Sequence, residues 1–303
     1  MEQILNILPV AVRKVLSEYN LDYMKLQEIR LRVDKPVILI YENEEKQVEA
    51  FTVTKEQMRE CMEYISNYSL YAFEEEMRQG FITIKGGHRI GLAGKVVQKE
   101  GRVQNMRYIS FINIRLAHQV MGCADSLMNY LVQNNRIYPT LLISPPRCGK
   151  TTMLRDMIRQ ISNGFSGFRG RTVGVVDERS ELGACYMGIP QNDLGLRTDI
   201  LDCCPKAEGM MMLIRSMAPE VIAVDEIGMA EDIEAMSYAR NCGCTMIATA
   251  HGNSMDEIKN KPMLGQLVKE HAFGRYVVLG KEGRAGIVRQ IMDERGCLLY
   301  GKC

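Results

Sequence analysis

Nine consecutive residues, Ser144-Pro145-Pro146-Arg147-Cys148-Gly149-Lys150-Thr151-Thr152, carry the clearest chemistry in this 303-residue chain. They follow the apolar run Thr140-Leu141-Leu142-Ile143 and precede the helical pattern Met153-Leu154-Arg155-Asp156-Met157-Ile158. Strand, tight loop, Gly-Lys-Thr and helix is the order of a phosphate-binding loop. The backbone N–H groups of such a loop converge on phosphate oxygens, and the helix N-terminus adds positive potential. Lys150 would reach the β- and γ-phosphates of ATP, and the Thr151 hydroxyl would ligate Mg2+. The usual eight-residue pattern opens on Gly, where this chain has Ser144; Pro145 and Pro146 would set the turn through their restricted φ. Cys148 reads first as a small loop side chain, and secondarily as a thiol whose oxidation would block nucleotide entry.

Three further segments end in polar groups after short apolar runs. Val221-Ile222-Ala223-Val224 runs into Asp225-Glu226. Asp225 would hold Mg2+, directly or through water, and Glu226 would polarise the attacking water. The plainer alternative makes this acidic pair the cap of the following helix. Thr172-Val173-Gly174-Val175-Val176 delivers Asp177-Glu178-Arg179, with Glu181 just beyond, so Asp177 or Glu178 would assist Glu226. Met246-Ile247-Ala248-Thr249-Ala250 ends in His251-Gly252-Asn253. His251 is a candidate sensor of the γ-phosphate, against the alternative of a structural histidine.

These groups must be carried by an alternation of strands and helices. From about Met121 onward short apolar runs alternate with helical patterns: Leu141–Ile143, the helix after Lys150, Thr172–Val176, a helix before Met217, Val221–Val224, a helix around Ile233–Arg240 and Thr245–Thr249. That pattern predicts a mostly parallel sheet with crossover helices, in which ligands bind at the carboxyl ends of the strands. After Asn253 a helical stretch and a small β-rich tail, Tyr276–Leu279 and Ala285–Met292, are expected. Residues 1–120 read as a smaller α+β domain and 121–303 as the phosphate-loop domain. In the first, helical periodicity covers Ile4, Leu5, Leu8, Val12 and Val15. Ile29, Leu31 and Val33 alternate with Arg30 and Arg32 as in a half-buried strand, and Asp34-Lys35-Pro36 turns into Val37–Tyr41 as its hairpin partner. Thr54 would cap a helix from Lys55 to about Asn67, with a second helix to about Gln79. Strand-like runs then cover Phe81–Ile84, His88–Val97 and Tyr108–Ile114.

Composition narrows the function classes. Lys and Arg number 38 against 37 Asp and Glu, so net charge provides no reason to expect nucleic acid as a partner. No apolar run approaches the ~18–20 residues that span a bilayer. The N-terminal residues lack the pattern of a secretory signal, which predicts a cytoplasmic protein. The ten cysteines form no Cys-x-x-Cys pair, so a disulfide framework or zinc site is not expected.

The order of phosphate loop, acidic strand end, Asp-Glu strand end and Thr-x-His-x-Asn resembles the secretion (type II/IV, pilus-motor) ATPase superfamily. Its acidic box is matched by Asp177-Glu178-Arg179-Ser180-Glu181, its second nucleotide motif by Arg215 and Pro219-Glu220 ahead of Asp225-Glu226, and its histidine box by Thr249 to Asn253. The match covers roughly Leu141 to Met255. The chain departs from the pattern at Ser144, at Asp225, where Gly is usual, and at Arg179, where Pro is frequent. These departures mark a side branch. Glu28-Ile29-Arg30-Leu31-Arg32 and Arg89-Ile90-Gly91-Leu92-Ala93-Gly94 extend the resemblance over nearly the full length, to a branch found in endospore formers.

The resemblance implies a RecA-like P-loop domain behind the smaller N-terminal domain, with ATP and Mg2+ as ligands. It implies a cytoplasmic, Mg-dependent ATPase on the mother-cell side. Such a protein would power or gate a channel toward the forespore, peripheral to the membrane through partner subunits. Relatives form hexameric rings in which the N-terminal domain supplies arginines to the site. Arg30, Arg32, Arg89 and Arg115 are the candidates here, against the alternative that each is part of a solvated strand face or a salt bridge. Two alternatives stay open: a nucleic-acid-stimulated RecA-like ATPase, and an ATP-binding ring scaffold with little hydrolysis.

Overall fold

The computed structural model describes residues 2–19, 21–42, 44–67, 73–282 and 284–301. The chain divides into two compact units, Met1–His118 and Gln119–Cys303.

The first unit is built on a six-stranded antiparallel sheet in the order Glu45–Thr52, Pro36–Tyr41, Leu26–Arg32, Arg102–Arg115, Arg89–Lys99, Phe81–Thr83. Period-2 alternation decides its two faces. The register puts Ile29 opposite Ile114, Leu31 opposite Ile112 and Ile90 opposite Ile114, all on one side. That side buries itself under Ile4, Val12, Leu16, Met58, Cys61 and Ile65 of the helices and Leu8 of the turn between the first two, in one apolar cluster. The opening helical pattern is two helices, Glu2–Asn6 and Val10–Glu18, because Pro9 interrupts it as the N-cap of the second. Thr54 caps Lys55–Ile65 as expected. Its hydroxyl accepts from the Gln57 amide at 3.2 Å, and the Gln57 side chain accepts from the Thr54 amide at 2.9 Å. Of the second expected helix, Glu74–Gln79 is present, and residues 68–72 lie outside the described residues. The last two expected strands are longer than their apolar patterns, since Arg89–Lys99 and Arg102–Arg115 form one extended hairpin.

The second unit carries an eight-stranded sheet in the order Thr198–Asp202, Val173–Asp177, Val221–Val224, Thr245–His251, Thr140–Ser144, Arg275–Glu282, Arg284–Asp293, Leu298–Gly301. The first six strands pair in parallel, and the last two are antiparallel additions. Both faces are covered, so the central strands are apolar throughout and residues alternate between two cores. Ile222 and Val224 pack with the helices Lys206–Ser216 and Ala230–Asn241. Val221 and Ala223 pack on the opposite face with Asp125–Leu131 and Lys150–Asn163.

Several strands are not legible in the sequence, Leu298–Gly301 among them. Glu45–Thr52 and Thr198–Asp202 are polar edge strands with little apolar alternation. The β-rich tail is not a separate element. Its first strand pairs directly with the phosphate-loop strand, Val277 opposite Leu142, so the tail extends the main sheet.

Candidate nucleotide site

Parallel register aligns the ends of the strands that carry the motifs. Asp177, Asp225, His251 and Ser144 stand at the carboxyl ends of four consecutive strands, with His251 level with Ser144 and Val224 level with Val176. The strand Thr140–Ser144 is fully buried. From it the chain passes through Pro145 to Gly149 and enters the helix Lys150–Asn163. Ser144 closes the turn locally, its hydroxyl donating to the Pro145 carbonyl at 2.9 Å. Pro146 and Arg147 are exposed, Cys148 and Lys150 are buried, and Thr151 and Thr152 are half-buried. Gly149 is required twice over. Its φ of 80° is a left-handed value, and a Cβ there would stand 3.0 Å from the backbone nitrogen of Gly286. The Gly286 amide itself donates to the Cys148 carbonyl at 2.9 Å. The antiparallel extension of the sheet therefore braces the phosphate loop.

Around this loop the polar strand ends converge. The Thr151 hydroxyl donates to Asp225 Oδ2 at 2.8 Å. The other Asp225 oxygen accepts from the Thr249 hydroxyl, whose oxygen in turn accepts the Glu226 amide at 2.9 Å. Glu226 has a φ of 57°, an uncommon value for a residue with a side chain, which these hydrogen bonds hold in place. Its carboxylate gathers three basic side chains. Lys150 Nζ lies 3.0 Å and His251 Nε2 2.9 Å from Oε1, and Arg179 Nη1 lies 3.0 Å from Oε2. Burial pushes the Glu226 pKa up, but the Lys150 hydrogen bond and the charges of Lys150, His251 and Arg179 outweigh it, and the net shift is below the ordinary value. Glu226 is therefore an anion at neutral pH.

The acidic loop divides its labour. The Asp177 carboxylate is buried and accepts the backbone amides of Glu181, Leu182 and Gly183 at 2.8, 2.9 and 2.8 Å, so it shapes the loop. Arg155 fastens the same loop to the phosphate-loop helix through the carbonyls of Glu181 and Leu182. Glu178 pairs with Lys206, the buried first residue of the helix Lys206–Ser216. Asp177, Glu178, Arg179, Glu181, Asp225 and Glu226 line one small cavity.

An Mg2+ ion fits the donor set by its chemistry: Thr151 and Asp225 bring a hydroxyl and a carboxylate oxygen to one spot beside Lys150, and Mg2+ takes few protein oxygens when phosphates supply the rest.

The four candidate arginines of the first unit lie on the polar face of its sheet. Arg30 Nε and Arg115 Nε sit 2.7 and 3.3 Å from the two oxygens of the buried Glu28. Arg89 stacks on Phe81, its guanidinium carbon 3.6 Å from the ring centre. Nη1 of Arg32 is buried without a hydrogen-bond partner.

A family model described as Sporulation stage III, protein AA matches residues 1–299. The chain belongs to the sporulation stage III protein AA family. It is 43% identical over 300 residues to Stage III sporulation protein AA of Bacillus subtilis, spanning 99% of this chain and 97% of that one. Among solved structures it resembles the pilus retraction motor PilT with bound ADP (TM-score 0.61, 16% identity, 99% of this chain and 84% of that chain). It also resembles the Legionella pneumophila ATPase DotB (TM-score 0.60, 14% identity, 90% of this chain and 76% of that chain). These likenesses establish the RecA-like P-loop fold.

Three contacts in this member of the sporulation stage III protein AA family escaped sequence reasoning: Lys206 on Glu178, Thr249 between Asp225 and the Glu226 amide, and Gly286 on the phosphate loop. Pro205-Lys206 reads as an ordinary helix start, and only the following Ala207 and Gly209 hint that this helix end is packed closely. No helix among the described residues is long and apolar enough to cross a membrane.

Proposed function

We propose that this chain is a Mg-dependent ATPase that hydrolyses ATP to ADP and phosphate. The observation that supports this best is the meeting of Lys150 and Thr151 with Asp225, Glu226 and His251 at the ends of adjacent parallel strands. The amides of the Ser144–Thr152 loop and Lys150 bind the phosphates. Thr151 and Asp225 hold Mg2+, which when bound neutralises charge between the phosphates. Glu226, anionic and half-buried, orients a water and accepts its proton. His251 reports the γ-phosphate. Glu178, paired with Lys206 yet 42% exposed, is better placed to assist than Asp177, which is buried and committed to three backbone amides.

The protein works as a homo-oligomeric ring, on the pattern of the pilus motors it resembles, and one of Arg30, Arg32, Arg89 or Arg115 completes a neighbour's site. In the cytoplasm of the mother cell it docks on membrane subunits and powers or gates a channel toward the forespore. One observation favours a slower, gate-like variant. Glu226 is held by Lys150, His251 and Arg179, and a base so held turns over slowly until those contacts are exchanged.

The test is steady-state ATPase activity across a protein concentration series, wild type beside Lys150→Ala and Glu226→Gln. Activity that rises more than linearly with protein and disappears in both variants supports a motor completed by its neighbours. Full activity in Lys150→Ala would sink the site assignment. Retained ATP binding with a flat, near-zero rate would support the gate-like reading.

A further inference from the structure

We propose that Arg179 is a catalytic residue of its own chain, supplying a cation to the γ-phosphate of the ATP that Lys150 holds. The inference rests on the ATPase reading above.

The geometry around Glu226 carries it. Lys150 and His251 meet one carboxylate oxygen at 3.0 and 2.9 Å, and Arg179 meets the other at 3.0 Å. Three basic side chains, one from a helix start, one from the loop after Val173–Asp177 and one from the end of Thr245–His251, thus enclose a single anion. One of them is the lysine that a phosphate loop directs at the terminal phosphates. A set of basic side chains arranged around one carboxylate is equally a seat for a phosphoryl group, which has more negative charge and one more oxygen to share.

Arg179 is placed to make the exchange. The two residues before it are pinned, Asp177 by three backbone amides and Glu178 by buried Lys206, so its backbone is fixed beside the site. Its side chain is 66% exposed and spans from the end of Val173–Asp177 to the neighbouring strand end. An ion pair with so exposed a partner is weak and yields to a stronger anion. Phosphate entry would draw Lys150, His251 and Arg179 off Glu226 and leave that carboxylate facing the γ-phosphate.

In the step itself the oxygen of water bonds to the γ-phosphorus. The bond from that phosphorus to the oxygen bridging the β-phosphate breaks, and its electron pair leaves with ADP. Glu226 takes the proton released by the water. Charge gathers on the transferring group, where a planar guanidinium binds two oxygens at once. The site then has its own arginine, whatever a neighbour contributes.

The experiment compares wild type, Arg179→Ala, Arg179→Lys and Glu226→Gln for turnover and for affinity toward a fluorescent ATP analogue. Arg179→Ala is expected to hold affinity within about threefold and lose roughly 10²–10³-fold in kcat, the size of losing one preorganised donor. Arg179→Lys recovers little, because it lacks the fork. Added ethylguanidine restores part of the Arg179→Ala rate, which a merely misfolded loop would not allow. Mixtures of Arg179→Ala with Glu226→Gln are expected to stay inactive at every ratio, since each chain lacks one of its own groups. Recovery of activity on mixing would assign the arginine to a neighbour and overturn the inference, as would a wild-type kcat in Arg179→Ala. A wild type that binds the analogue without turnover would overturn the ATPase reading and this inference together; loss confined to the inference leaves wild-type turnover intact.

Discussion

Lys206 and Glu178 form an unequal pair, and the inequality predicts the sign of a double-mutant experiment. The Lys206 side chain is 9% exposed and that of Glu178 42% exposed. Removing Glu178 leaves a buried ammonium without its counter-ion, whereas removing Lys206 returns Glu178 to water. A fully buried pair broken on one side costs about 3–5 kcal/mol. Because Glu178 is partly solvated, we set the cost of Glu178→Ala at about 2 kcal/mol, in the range of a lost charge-assisted hydrogen bond. Lys206 is also the first residue of its helix, where a positive charge opposes the helix dipole by roughly 0.3–1 kcal/mol. Lys206→Met keeps the apolar stem and removes that opposition, so its net cost is near zero, about 0–1 kcal/mol. Lys206→Met introduced into Glu178→Ala is therefore stabilising, and the double variant lies close to Lys206→Met alone. Urea unfolding followed by far-UV circular dichroism measures this, since the chain has no Trp for fluorescence. Amide exchange across Lys206–Ser216 localises the effect. Equal costs for the two single variants, or a double variant worse than Glu178→Ala, would refute the burial argument.

Three other outcomes are expected. Gly149→Ala forces a side chain into a left-handed φ and against the Gly286 backbone, a penalty of about 1–3 kcal/mol; nucleotide affinity and melting temperature both fall, and an unchanged pair of values counts against the brace. Thr54→Ala removes a capping box and lowers stability by about 1 kcal/mol, while Thr54→Ser retains most of it, as thermal unfolding will report. Burial pushes the Asp177 pKa up to about 6 against its backbone hydrogen bonds. A raised carboxylate pKa contributes stability that is present below the ordinary value near 4 and is lost as pH rises through 6. The stability difference between wild type and Asp177→Asn should therefore shift against wild type by about 2 kcal/mol from pH 4 to pH 7, and a pH-independent difference would contradict the assignment.

The chain itself announces a good deal of this protein. Local rules suffice for the strand, loop and helix around Gly149-Lys150-Thr151, because Gly-Lys-Thr between an apolar run and a helical pattern has few other settings. They suffice for the buried strands too, since Val221–Val224 and Thr140–Ser144 are apolar on both faces as a covered parallel sheet requires. Where apolar periodicity is absent the reading fails, as at Glu45–Thr52 and Thr198–Asp202, polar edge strands that only their neighbours make into strands.

Thus the sequence by itself determined the chemistry on offer, namely a phosphate loop, acidic strand ends, a histidine and the sheet that must bring them together. Tertiary structure alone decided which group meets which. Nothing in Asp177-Glu178-Arg179 says that the first carboxylate turns inward to three amides, the second to a buried lysine 28 residues on, and the arginine outward to Glu226. Nothing in the tail says that Gly286 rests on the phosphate loop. The physical reason is that these contacts depend on strand order and register, which set distances between residues far apart in the chain. Residue type and spacing constrain only what lies within a turn or two.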